Sequence, residues 1–116
     1  MKGINMLRPV FCLVLCVFLW LPVLCLADSN DMYKIAIKNH QFVPSLLSIP
    51  VNQRIKLTVE NQDPTAEEFE SYDLNREKVV SGNKKIIVFL GPLSKGTYKF
   101  FGDFHQSTAQ GVINVQ

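Results

Sequence analysis

Hydrophobic and polar positions alternate along most of the chain beyond Met32, and the period is two. Tyr33, Ile35 and Ile37 alternate with Lys34, Ala36 and Lys38; Ile55, Leu57 and Val59 alternate with Lys56, Thr58 and Glu60. Successive side chains of a strand point to opposite faces, so each run predicts a strand with one buried face. Leu46 to Ile49 predicts a short strand ended by Pro50. Lys85 to Leu90 is apolar on both faces and predicts a central strand. Tyr98 and Phe100 flank Lys99, and Gly111 to Val115 closes the pattern. Turn signals fall at Asn61-Gln62-Asp63-Pro64, Ser81-Gly82-Asn83 and Ser94-Lys95-Gly96. No window carries a helical stripe. Thr65 to Arg76 opens with a capping-like pair, Thr65 and Glu68, but Phe69, Tyr72 and Leu74 do not keep a 3.6-residue period, so a strand and a loop are expected there. About seven or eight short strands separated by turns indicate an all-β Greek-key β-sandwich.

The N-terminus has a different grammar. Lys2 and Arg8 precede an apolar run from Val10 to Leu21, Pro22 breaks it, and Cys25-Leu26-Ala27 gives way to the polar Asp28-Ser29-Asn30-Asp31. This is the layout of a secretory signal peptide, with cleavage expected after Ala27, a single domain over 28–116 and a periplasmic location. The alternative is a retained anchor, although the run is short for a spanning helix. Lipidation of Cys25 is disfavoured because Pro22-Val23-Leu24 lacks the small residue that usually precedes a lipidated cysteine.

Composition narrows the function. The chain is 47% hydrophobic and 19% charged, which excludes a disordered segment. Its formal charge is +2 with no clustering of basic residues, so no nucleic-acid partner is expected. All three cysteines lie in the first 25 residues. Loss of the leader removes them together with Lys2 and Arg8, leaving ten basic residues against ten acidic ones. The exported domain would then hold no thiolate and no disulfide, and would not be membrane-embedded. Neither a Gly-x-Ser-x-Gly elbow nor a phosphate-binding Gly-x-x-x-x-Gly-Lys loop occurs.

Two sets of spaced residues carry a resemblance. The first is Phe42-x-Pro44, Leu47-x-Ile49-Pro50 and Ile55-x-Leu57-x-Val59-x-Asn61-x-Asp63. The second is Gly96-Thr97-Tyr98-Lys99-Phe100, His105 and Gly111-Val112-Ile113. Together they resemble the cupredoxin fold over the whole exported domain. Glu67-Glu68-Phe69-Glu70-Ser71, Glu77-Lys78-Val79, Gly91-Pro92-Leu93, Phe101 to His105 and Thr108 to Gly111 are similar to the EfeO-type cupredoxin-like domains of bacterial periplasmic iron-uptake systems. A blue-copper site needs a cysteine thiolate, two imidazoles and a weak axial methionine. The resemblance puts Glu67 in the first histidine position, Gly102 in the cysteine position and Ala109 in the methionine position, and keeps only His105. It therefore implies no type 1 copper and no blue-copper electron carrier.

Alternation also sorts the candidate ligands. Phe69 is expected to face the core, so Glu67 shares its face while Glu68 and Glu70 point away. Inward Tyr98 and Phe100 bring Gly102 to the same side as Glu67, and His105 follows; the resembled fold joins these segments at one end of the sandwich. Glu67 and His105 are then expected as neighbours, with open space at Gly102. The pair is half of a hard metal site or a structural ion pair. Glu68, Glu70 and Asp103 are the nearest further ligands in sequence. Simpler readings stand beside these: a solvated acidic edge for the Glu67-Glu68-Glu70 cluster, a surface or turn residue for His40, a turn residue for Asp103, a salt-bridged strand residue for Glu77, and a loop-capping hydroxyl for Tyr98. The expected function is metal binding in iron uptake or handover, with copper as a second metal, beside a membrane iron permease or another periplasmic subunit. The alternatives are a metal-free interaction module and an accessory to ferrous iron oxidation; a self-sufficient oxidase is not expected.

Overall fold

The computed structural model describes residues 33–116, together with Gly3, Leu21 and Pro22. The expected leader and its cleavage point at Ala27 lie outside the described residues, apart from Gly3, Leu21 and Pro22, which are exposed. Nine strands follow in order: β1 (Tyr33–Lys38), β2 (Gln41–Val43), β3 (Leu46–Ile49), β4 (Ile55–Asn61), β5 (Glu67–Ser71), β6 (Arg76–Val80), β7 (Lys85–Leu90), β8 (Gly96–Gly102) and β9 (Gln110–Val115). A single 3-10 turn, Asp103–His105, separates β8 from β9.

The strands form two mixed sheets, β2-β1-β4-β7 and β3-β9-β8-β5-β6, as expected for an all-β sandwich. Each sheet has one parallel pair, β1 with β4 and β3 with β9. The period-two residues fill the space between them: Ile35, Ile37, Leu57, Val59, Phe69, Phe100 and Ile113 are all buried. Phe42, Phe69 and Phe100 pack ring against ring at centroid distances of 6.1, 4.9 and 5.2 Å. Two of these rings fix the neighbouring chemistry. Phe69 sits two residues after Glu67 and Phe100 two before Gly102, so the aromatic cluster holds both segments in register.

Two expectations change. The strand count rises to nine because β2, only three residues long, pairs with β1 across a two-residue turn. That turn is Asn39-His40, with φ of 52° and 57°. Two successive positive φ values match the right-handed twist of a tight hairpin, and asparagine tolerates them best. The second change is β7, which is an edge strand and not a central one. Its exposed-face carbonyls are taken by side chains of the other sheet's edge strand. Arg76 Nε donates to the Phe89 carbonyl at 2.9 Å and Lys78 Nζ to the Ile87 carbonyl at 3.1 Å. Charged side chains laid over an edge in this way block pairing with another chain.

Candidate metal centre

Strand β5 delivers two adjacent carboxylates to opposite faces. Glu67 points inward and is 1% exposed. Its Oε1 accepts the backbone N–H groups of Glu68 and Phe104, both at 2.9 Å. Its Oε2 lies 2.5 Å from His105 Nδ1. A buried carboxylate with three polar partners has repaid most of its desolvation cost.

No open space remains at Gly102. A Cβ built there would lie 2.7 Å from Glu67 Cδ and 2.6 Å from Ala109 Cβ. The Glu67 side chain lies over the glycine and uses the volume that a residue at position 102 would need. The centre therefore does not fit a thiolate copper site. Position 102 is closed to a side chain by Ala109 and the Glu67 carboxylate together, and there is no cysteine among the described residues.

A third member comes from the β1–β2 turn. The His40 ring stacks on His105 with centroids 3.6 Å apart and planes 14° from parallel. One donor atom from each of His40, Glu67 and His105 lies within 4.8 Å of the others. His40 is a turn residue, as expected, and also a member of this group. The only sequence signal for it was an Asn-His pair between two short runs, weaker than the Asn-Gly of an ordinary tight hairpin. Asp63, just past β4, closes the same turn: its carboxylate accepts the N–H groups of Asn39 at 2.8 Å and His40 at 2.9 Å. Burial works to raise the Asp63 pKa, but these two donors and the nearby imidazoles outweigh it and hold the group below its ordinary range.

The other expected ligands assemble elsewhere. Glu68, Glu70 and Asp103 form their own group, again with one oxygen each within 4.8 Å of the others. The five ligands expected from sequence thus divide in two, because alternation along β5 sends Glu68 and Glu70 to the face opposite Glu67. Glu68 is 7% exposed, and its Oε1 has no hydrogen-bond partner. A shared hydrogen bond with Glu77, burial, and the charges of Glu77, Glu70 and Asp103 push its pKa up to about 7. Burial, then Glu77 and Asp103, also raise Glu70. Glu77 is therefore a partner of Glu68 and not the salt-bridged residue expected, because Glu70 and Glu77 stand directly opposite across β5 and β6. Tyr98 caps a loop as expected, its hydroxyl donating to the Ser94 carbonyl at 2.8 Å.

This geometry meets known proteins at the level of fold. Residues 11–115 match the family model described as a cupredoxin-like domain. An uncharacterized protein of Rickettsia prowazekii, RP394, is 52% identical over 88 residues, covering 76% of this chain and 70% of that protein. Among solved structures, a purple cupredoxin from Nitrosopumilus maritimus superposes with a TM-score of 0.58 at 21% identity, covering 72% of this chain and 99% of that one. Auracyanin A, a blue copper protein from Chloroflexus aurantiacus, gives 0.62 at 14% identity, covering 72% and 96%. The metal-binding domain of the Cu(I)-exporting ATPase CopA of Streptococcus pneumoniae, solved with Cu(I), gives 0.64 at 12% identity, covering 72% and 82%. The structural likeness speaks for the fold, the sequence match speaks for descent, and together they make this chain a member of the cupredoxin-like domain family.

Proposed function

We propose that this is an exported metal-binding domain that takes up a cation at His40, Glu67 and His105 and serves iron acquisition, with copper as a second metal. The carrying observation is the gathering of two imidazoles and one buried carboxylate, from three separate segments, within 4.8 Å. Nitrogen and oxygen donors without sulfur suit ferrous, ferric and cupric ions better than cuprous ion. The carboxylates of Glu68, Glu70 and Asp103 add a second oxygen-only group on the other side of β5, suited to a hard cation. The leader-like residues up to Ala27 support export to the periplasm, where a membrane permease or another periplasmic subunit would receive the ion. The similarity to EfeO-type domains supports iron as the cargo.

The test is direct titration of the folded protein with ferrous, ferric and cupric ions, beside His40→Ala and His105→Ala. Binding of at least one ion that weakens about 10-fold or more in either variant is expected, since each variant removes a ligand. Folded protein that takes up none of the three ions overturns the reading.

A second reading has its own observation. Glu67 already has three partners without any ion. A metal-free interaction module of a transport complex would keep that pair as a structural element. Transport that survives Glu67→Ala combined with His105→Ala would favour it.

A further inference from the structure

We infer that Asp63 is the positioning residue for His40, the carboxylate that presents the imidazole of the β1–β2 turn to the metal centre. The inference rests on the metal-binding reading above and deepens it. Asp63 is 8% exposed and lies more than twenty residues along the chain from the turn it serves. Its two oxygens divide the work. Oδ1 accepts the Asn39 N–H at 2.8 Å and Oδ2 the His40 N–H at 2.9 Å, so one anion is seated on both positive-φ residues of the turn. The same Oδ2 lies 3.6 Å from His40 Nδ1, in ion-pair range. His40 Nδ1 thus lies beside Asp63, beyond hydrogen-bond range, and Nε2 is the atom this ring has left for a cation.

The carboxylate is itself held in place. Its own N–H donates to Asn61 Oδ1 at 3.0 Å, and the buried Asn61 amide donates in turn to the Thr65 carbonyl at 2.7 Å and the Val80 carbonyl at 3.2 Å. The Asp63 carbonyl accepts the Asn83 N–H at 2.9 Å. From the other side, Thr108 Oγ1 donates to the His40 carbonyl at 2.6 Å, while the Thr108 N–H bonds the His105 carbonyl at 3.2 Å. The peptide unit of His40 is therefore clamped between Asp63 and the turn that carries His105. A two-residue hairpin turn closes through its own backbone and needs no buried acid from elsewhere in the chain. A carboxylate beside the second nitrogen of an imidazole is the usual support of a metal-bound histidine, and its loss costs about 10–100-fold in affinity.

The experiment compares the full chain with Asp63→Ala, Asp63→Asn and His40→Ala. Cupric ion is titrated against a competing chelator, and electron paramagnetic resonance counts the coordinated nitrogens. The wild type should show two imidazole nitrogens. Asp63→Ala should weaken affinity about 10–100-fold and drop the count to one, as His40→Ala does. Asp63→Asn retains the shape and one acceptor, should fall between, and carries the test if the alanine variant does not fold. A folded Asp63 variant with wild-type affinity and two nitrogens overturns the inference while the metal centre stands. Wild type, His40→Ala and His105→Ala titrating alike would remove the centre itself, and this inference with it.

Discussion

Glu67 and Glu68 are consecutive on one strand, both are buried, and they live in opposite electrostatic settings. Glu67 is surrounded by donors: two backbone N–H groups and one imidazole nitrogen. Glu68 is surrounded by acids, keeps one oxygen with no partner, and holds its proton to about pH 7. At Glu68 the acidic neighbours add to burial in raising the pKa. A strand has only two faces, so a single residue step exchanges a carboxyl ringed by donors for one ringed by acids.

Removing each carboxylate should separate the two faces most sharply. Glu67→Ala strands the N–H groups of Glu68 and Phe104 and leaves His105 without its partner. A loss of about 3 kcal/mol in unfolding free energy, measured by urea denaturation, is expected. A loss under 1 kcal/mol would mean that the inward face is far less dependent on this carboxylate than its contacts imply. Gly102→Ala comes next, at about 1–3 kcal/mol, because the new methyl collides with Glu67 and Ala109. The same change in a Glu67→Ala background should cost less, and simple additivity would show that Glu67 is not the obstacle.

The smallest effect should have the opposite sign. The fold raises the Glu68 pKa from 4.5 to about 7, so the native state binds more protons across that window. Its contribution to stability is therefore greatest below pH 4.5 and is lost as pH rises toward 7. Glu68→Gln should flatten that decline and raise the melting temperature at pH 8. Asp63 acts in the other direction and in another range: its depressed pKa stabilises the fold above its ordinary value of 3.8, and that stability is lost as pH falls through the lower folded value. A Glu68→Gln variant that melts lower than wild type at pH 8 would show that the outward acids are not in conflict.

Much of this arrangement was legible in the sequence, and the rest was hidden for definite reasons. Alternation through Phe69 put Glu67 inward and Glu68 with Glu70 outward, and the structure agrees. The resemblance to the cupredoxin fold brought His105 to Glu67, and the structure agrees, because β5 and the end of β8 pair at Phe69 and Gly102. His40 escaped because its contact with His105 spans 65 positions and depends on how the β1–β2 turn leans over the sandwich, which no local period encodes. Gly102 was misjudged in a different way. A glycine in sequence suggests room, but here the room is taken by a side chain arriving from another strand. Lys85 to Leu90 looked central because it is apolar on both sides; it is an edge whose carbonyls are occupied by Arg76 and Lys78. Hydropathy does not report a strand's place in its sheet, and on this edge the apolar Phe89 is 58% exposed.

The parallel stacking of His40 on His105 bears on what binding of a cation by both rings would require. Two rings lying flat against each other cannot both aim a nitrogen lone pair at one ion, since a point in the plane of the first is well outside the plane of the second. Any cation that takes both must first turn one ring against the other about its side-chain bonds, since the His40 peptide is held by Asp63 and Thr108. On the metal-binding reading, loading would then require a change of ring orientation as well as the arrival of the ion.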